Sequence, residues 1–329
     1  MPIMHTTTEH RTAHMDDWLA EPQPRLGATG LLVLLVLGSL TAPLSLDMYT
    51  PSIPTMTAYF HTTDDIVNLT LVGYYLFMAV GLLAFGPLSD KFGRRPVLMA
   101  GTVAYCAASV ACATAPTIWV LVGARVVQAL GSGAMNAVCT AMVKDAIKPA
   151  YRERMLAVAQ IVFVVGPAGA PIIGASILSF TDWRGVFVAL ALVSGLQLVL
   201  VWALRETLPV SDRLTTSVPA TLARLIQVAK NPVFMAFLLI TSAWEIAYMG
   251  YVSVGSYIYI DFFGFSAFAF SLFFAAAALM GAVGPAAWIK LSAFVSRRNF
   301  TTVALVCSLA VGIGVLVVGK LSACSAGSS

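Results

Sequence analysis

The chain has 329 residues, of which 59% are hydrophobic and 10% charged, where an ordinary soluble domain carries about 25% charged residues. So few charges cannot coat a water-soluble surface, and a net charge of +4 offers no basic face for nucleic acid. The five cysteines are scattered and form no CxxC or Cys/His cluster, so neither a disulfide framework nor a zinc site is expected. There is also no Ser/His/Asp set and no phosphate loop, so an enzyme and a cofactor are not expected.

Taken in chain order, residues 1–26 are polar and include Asp16, Asp17 and Glu21, which does not suit a signal peptide. They are expected to form a solvated cytoplasmic tail, and His5, His10 and His14 are part of it. Nine apolar blocks follow, near 27–49, 67–87, 97–115, 118–139, 156–178, 184–204, 232–252, 266–288 and 301–319. Each suits the roughly 20 residues of a membrane-spanning helix. Lipid cannot satisfy open backbone groups, so such blocks must be helical. The expected fold is an all-α polytopic membrane protein.

Lys and Arg fix the orientation. With a cytoplasmic N-terminus, the inner segments hold Arg11 and Arg25, then Lys91, Arg94 and Arg95, then Lys144, Lys148, Arg152 and Arg154. Further on they hold Arg205, Arg213, Arg224 and Lys230, and last Lys290, Arg297 and Arg298. Sixteen of the 19 positive residues are thus inside. Arg184 and Lys320 fall outside, and Arg125 lies within a span. An odd number of spans puts the C-terminus outside. The longest internal link, 205–231, carries Pro209 and Pro219 and is expected to join two helical bundles. The expected divisions are a six-helix bundle over 27–204, a partial bundle over 232–319 and a tail over 320–329. A faint repeat supports two halves: the GPLSDKFGRRP of 86–96 is echoed by the GPAAWIKLSAFVSRR of 284–298, without the aspartate.

Ionisable side chains inside apolar spans are costly and point to function. Asp47, Arg125 and Glu245 qualify. Asp47 lies about 20 residues into the first span and Arg125 about a third of the way into the fourth from outside, so the two can share a cavity wall. A carboxylate near a guanidinium stays ionised and loses that support when the pair separates. Gln128, one turn from Arg125, is expected to face the same cavity. The bland alternatives are an interfacial helix-end acid for Asp47 and a carbonyl-bonded structural arginine for Arg125. Glu245 either attracts a cation or proton, or pairs with a neighbouring hydroxyl. Gly86, Asp90, Gly93, Arg94 and Arg95 read as a tight cytoplasmic turn, with Gly93 supplying unusual backbone angles. Gly166, Ala170 and Gly174 form a small-residue stripe for close helix packing, and Pro167 and Pro171 permit a bend. Tyr248, Tyr251, Tyr257, Phe262 and Phe263 gather at the outer end of the seventh span, as an interfacial belt or a cavity lining.

Several of these stretches resemble the major facilitator superfamily. GPLSDKFGRRP resembles its motif A, and LDMYTPSIP at 46–54 resembles the first-helix ending of the Bcr/CflA drug-resistance branch. RVVQALG at 125–131 resembles the fourth-helix motif, while GPAGAPIIG at 166–174, with Gly166, Pro167, Gly169, Pro171 and Gly174, resembles the antiporter motif. DWRGVF at 182–187 and ETLP at 206–209 resemble the borders of the sixth helix. The resemblance implies drug/proton antiport by a monomeric inner-membrane protein of bacteria, whose partners are a small drug-like molecule, protons and lipid. A nutrient importer and a non-transporting remnant are the alternatives. It also implies twelve helices, of which the chain supplies about nine, so a truncated second half is expected. Asp90 would then lack its implied partner, the start of an eleventh helix. Glu245 and Ser256 depart from the branch pattern.

Overall fold

A computed structural model describes residues 18–215, 218–281, 302, 303 and 306. The chain divides into two compact units, residues 1–278 and 279–329. The echo at 284–298, nearly all of the ninth span and the tail from 320 lie outside the described residues, as do His5, His10 and His14.

The first unit is a helical bundle. Its helices are α1 (Gly27–Asp47), α2 (Ile53–Phe60), α3 (Asp64–Phe92), α4 (Arg94–Ala113) and α5 (Ile118–Ala146). They are followed by α6 (Pro149–Leu178), α7 (Arg184–Ala203), α8 (Val218–Ala229), α9 (Pro232–Ser256) and α10 (Ala267–Gly281), the last of which runs past the unit's end. Among the described residues, Gly27–Phe60 and the helices α3, α4, α5 and α7 are long and apolar enough to cross a membrane. Helices α6, α9 and α10 lie where the fifth, seventh and eighth spans are expected.

Local chemistry explains the boundaries. Pro51 and Pro54 lack backbone N–H donors, and the first span tightens to a 3₁₀ turn at Thr50–Ser52 before resuming as α2. The first span therefore runs on to Phe60 rather than ending near 49. Asp64 and Asp65 occupy the first turn of α3, where the helix dipole favours negative charge. The Thr117 side chain accepts from the Val120 amide at the start of α5, and Asn231 accepts from Val233 and Phe234 at the start of α9.

Helix α5 is central, packing on α3, α4 and α1, while α4 also packs on α7. Small residues set the close approaches: a Cβ added to Gly133 on α5 would lie 2.5 Å from the Met78 carbonyl oxygen on α3. Two apolar clusters result. One, at the end bearing residues 19, 97 and 147, joins Leu31, Leu98, Met142 and Leu204. The other joins Tyr49, Tyr74, Leu121 and Phe187.

One expectation changes here. Residues 18–26, assigned above to a solvated tail, pack on the bundle. Leu19 pairs with Ile147 as an antiparallel bridge, the Trp18 and Tyr151 rings stack at 5.3 Å, and Gln23 is buried.

Candidate functional site

Arg125 and Gln128 are three residues apart on α5 and so share a face. Arg125 is 1% exposed. Its Nη1 donates to the Ser45 carbonyl of α1 at 3.1 Å and to Gln128 Oε1 at 2.8 Å. Gln128 Nε2 in turn donates to Ser109 Oγ at 2.8 Å. The guanidinium carbon lies 4.3 Å from the Tyr74 ring centre, 4.8 Å from Tyr49 and 5.7 Å from Phe187. Ring faces attract a cation, the more so when it is desolvated. Among the described residues, Arg125 Nε and Nη2 find no hydrogen-bond partner. The Ser45 carbonyl and Gln128 Oε1 are neutral acceptors, and the three rings lie around the charge.

Asp47 is 4% exposed and is the last residue of α1. Because the helical run continues to Phe60, it sits well inside that run and not at its interfacial end. Arg125 and Gln128 lie in the packed interior of the bundle, where a cavity wall is expected from the sequence. The difference is physical: the rings of Tyr49, Tyr74 and Phe187 come from three other helical segments, and together they close around the guanidinium.

The motif-A residues form a second polar centre. Helix α3 continues through Gly86 and Asp90 to Phe92, so the turn is confined to Gly93, whose φ is +103°. That backbone favours glycine, and a Cβ there would lie 2.5 Å from Glu206 Oε2. Arg94 is the hub. Its Nη1 meets Asp90 Oδ1 at 2.6 Å and Ser89 Oγ at 2.6 Å, and its Nε donates to Asp145 Oδ2 at 2.8 Å. The amides of Arg94 and Arg95, the first of α4, donate to Glu206 Oε1 and Oε2 at 2.9 and 3.2 Å. Those donors have no intrahelical partner, so a remote carboxylate caps the helix. Glu206 Oε1 also accepts from the Thr207 and Leu208 amides, and Arg213 lies 3.9 Å from Oε2. Arg95 Nη2 donates to the Trp202 carbonyl at 2.9 Å. The loop is therefore held by two carboxylates distant in sequence, not by local cations alone.

The α6 stripe packs on α1. Gly166 lies under Leu40 and Pro43, and a Cβ on Gly174 would collide with the Met48 carbonyl. Ala170 is buried between them, while a Cβ on Gly169 would meet nothing within 4 Å. Pro167 and Pro171 both lie inside the helix, and the Pro171 carbonyl accepts from Ser271 Oγ of α10 at 3.0 Å. Glu245 is on α9, and its side chain lies outside the described residues, as do those of Tyr248 and Tyr251. Tyr257 packs against the cluster around Tyr49, whereas Phe262 and Phe263 are exposed. In the same turn the Asp261 carboxyl is raised above the usual carboxylate range by desolvation first and by the Asp64 charge second.

Sequence reasoning missed Asp145 and the capping role of Glu206. Asp145 lies beside Lys144 in a basic stretch and carries no local signal. Glu206 is visible only as part of ETLP, and its partners are 111 and 112 residues away.

The Major Facilitator Superfamily model matches residues 35–326. The chain is 32% identical over 179 residues to the MFS antiporter QDR2 of Candida albicans, covering 54% of this chain and 36% of that protein. It is 36% identical over 171 residues to a chloramphenicol resistance protein of Pseudomonas aeruginosa, covering 51% and 40%. It is 31% identical over 248 residues to the uncharacterized MFS-type transporter YdgK of Bacillus subtilis, covering 74% and 61%. The chain thus spans less than two thirds of the length of these relatives. Its fold is similar to that of a bacterial homolog of the human lysosomal transporter Spinster, with a TM-score of 0.66 at 17% identity over 82% of this chain and 65% of that one. It is also similar to a D-xylose-proton symporter, with a TM-score of 0.56 at 15% identity over 79% and 68%. With the helical bundle of the described residues and the family match in agreement, the chain belongs to the major facilitator superfamily, a family of membrane transporters rather than enzymes.

Proposed function

We propose that this chain serves proton-coupled export of small drug-like molecules across the bacterial cytoplasmic membrane, as a monomer. The observation that carries this reading is the burial of two ionisable side chains, Asp47 and Arg125, inside an apolar bundle. A charged residue at the centre of a spanning helix costs about 2.5–3.5 kcal/mol on insertion scales, a cost that plain packing does not require. Asp47 takes the role of proton carrier. Arg125, steered by Gln128 and bonded to the Ser45 carbonyl two residues before Asp47, responds to the charge on Asp47. The prolines of α6 let that response bend the helix packed on α1. Asp90, Arg94 and Arg95 hold the cytoplasmic ends of α3 and α4 in register. Glu245 attracts a cationic cargo or a proton.

The names of the antiporter and chloramphenicol-resistance relatives support a drug as cargo. The test is drug efflux from intact cells that lack their own efflux pumps, with and without a collapsed proton gradient. Export that stops on collapse supports the reading. Gradient-independent uptake of a nutrient would replace it with an importer, and absence of any flux would make the chain a non-transporting one.

A further inference from the structure

Besides the neighbouring Asp90, two carboxylates distant in sequence hold Arg94. Asp145 closes α5, and Glu206 follows α7. Their immediate neighbours, Ala146 and Arg205, are both tied to a single short segment, residues 18–25. At one end, the Ala20 amide donates to the Ala146 carbonyl at 2.8 Å and the Lys148 amide donates to the Trp18 carbonyl at 2.9 Å. Leu19 is buried against Ile147, and Trp18 stacks on Tyr151 with planes 13° apart. At the other end, Gln23 Oε1 accepts from the Arg205 amide at 2.9 Å, and Gln23 Nε2 donates to the Arg205 carbonyl at 3.4 Å. Gln23 thereby satisfies both backbone groups of one residue, and its side chain is buried. Glu21 lies 4.0 Å from Arg205, and Arg25 lies over the Trp202 ring. Between the two ends the segment walls a cavity of about 370 Å³ together with Lys144, Asp145, Thr207 and Asp212.

We propose that residues 18–25 are a positioning strap: by holding Ala146 and Arg205, they set the separation of the Asp145 and Glu206 carboxylates and so the seat of Arg94. This rests on the assignment of the Asp90–Arg94 cluster to the transport cycle. Gln23 is the positioning residue, because it holds Arg205 by both of its backbone polar groups and touches neither Arg94 nor Asp90. A buried amide with two satisfied groups has one geometry, so the adjacent residue inherits a fixed backbone direction. Without it, the Leu204–Thr207 turn can rotate, and Glu206 leaves the first amides of α4.

The test is amide hydrogen exchange of the whole chain in nanodiscs, read at Arg94 and Arg95. Loss of the Glu206 bonds should speed exchange there by roughly fivefold, the worth of a typical net hydrogen bond. Gln23→Ala is expected to give this acceleration at Arg94 and Arg95 and none at Thr102–Cys112 farther along α4. Gln23→Glu keeps the oxygen that accepts from the Arg205 amide but turns a carboxylate oxygen toward the Arg205 carbonyl, so it is expected to speed exchange as Gln23→Ala does. Glu206→Gln removes the capping charge itself and serves as the reference. If Glu206→Gln speeds exchange and Gln23→Ala does not, the strap has no positioning role, although the cluster stands. If neither does, the cluster itself is wrong. Acceleration spread over all of α4 in Gln23→Ala would make the strap a general stabiliser and overturn the proposal.

Discussion

Replacing Arg125 with lysine keeps the positive charge and removes the planar fork. The guanidinium reaches the Ser45 carbonyl and Gln128 from one nitrogen while its faces lie against Tyr74 and Tyr49. A compact ammonium cannot do both, and leaving a ring face without its cation costs about 0.5–2 kcal/mol in a desolvated site. Arg125→Lys is therefore expected to lower thermal stability and to abolish gradient-driven drug efflux. Retention of most efflux would mean that charge alone matters at this position. Asp47→Asn tests the second buried ionisable residue. It keeps the shape and removes the titration, so the protein should insert and fold while its efflux loses dependence on the proton gradient. Efflux with unaltered pH dependence would remove Asp47 from the coupling step.

Among the elements, α6 and α1 meet through glycine. Gly174 abuts the Met48 carbonyl, which is backbone and cannot rotate away. Gly174→Val is expected to force the helices apart at a cost of about 1–3 kcal/mol, measured as a lower melting temperature in detergent. Gly169→Ala, facing open space, should raise it slightly, since glycine inside a helix is about 0.5–1 kcal/mol less stable than alanine. A third expectation concerns the turn after α9. Asp261 is raised in the folded chain, so folding favours its protonated form and its ionisation opposes folding as pH rises above the unfolded value. Asp261→Asn should thus raise the melting temperature slightly at neutral pH and leave it unchanged below about pH 3, where the carboxyl is protonated in both states. An equal shift at both pH values would show that charge is not the cause.

For the whole molecule, the Lys and Arg distribution predicts a cytoplasmic N-terminus and an external C-terminus. Reporter fusions at residues 215 and 325 should report opposite sides of the membrane, and finding both inside would overturn the count of nine spans. The end bearing Asp90 and Arg94 is also where the bundle is tied together. The segment after α7, expected to be a connector, is attached to the first bundle through Glu206 and through the Leu214 amide, which donates to the Asp90 carbonyl at 2.8 Å.

The sequence by itself determined the class of fold and, among the described residues, the approximate place of the first eight apolar helices, because a helix in lipid must be apolar along its length. It also singled out Asp47, Arg125 and Gln128, since an ionisable residue in an apolar run is conspicuous without any partner. The α6 stripe was legible from the spacing of Gly166, Ala170 and Gly174, though not the identity of α1 as the helix beneath it. Only the tertiary structure decided what surrounds Arg125, because Tyr49, Tyr74 and Phe187 lie on three separate segments and read alone as ordinary apolar residues. It alone showed that Asp145 and Glu206 converge on Arg94 and that residues 18–25 bind their neighbours. Those contacts span 51 to 182 residues of sequence, and local periodicity holds no information on which distant carboxylate or amide meets a given charge.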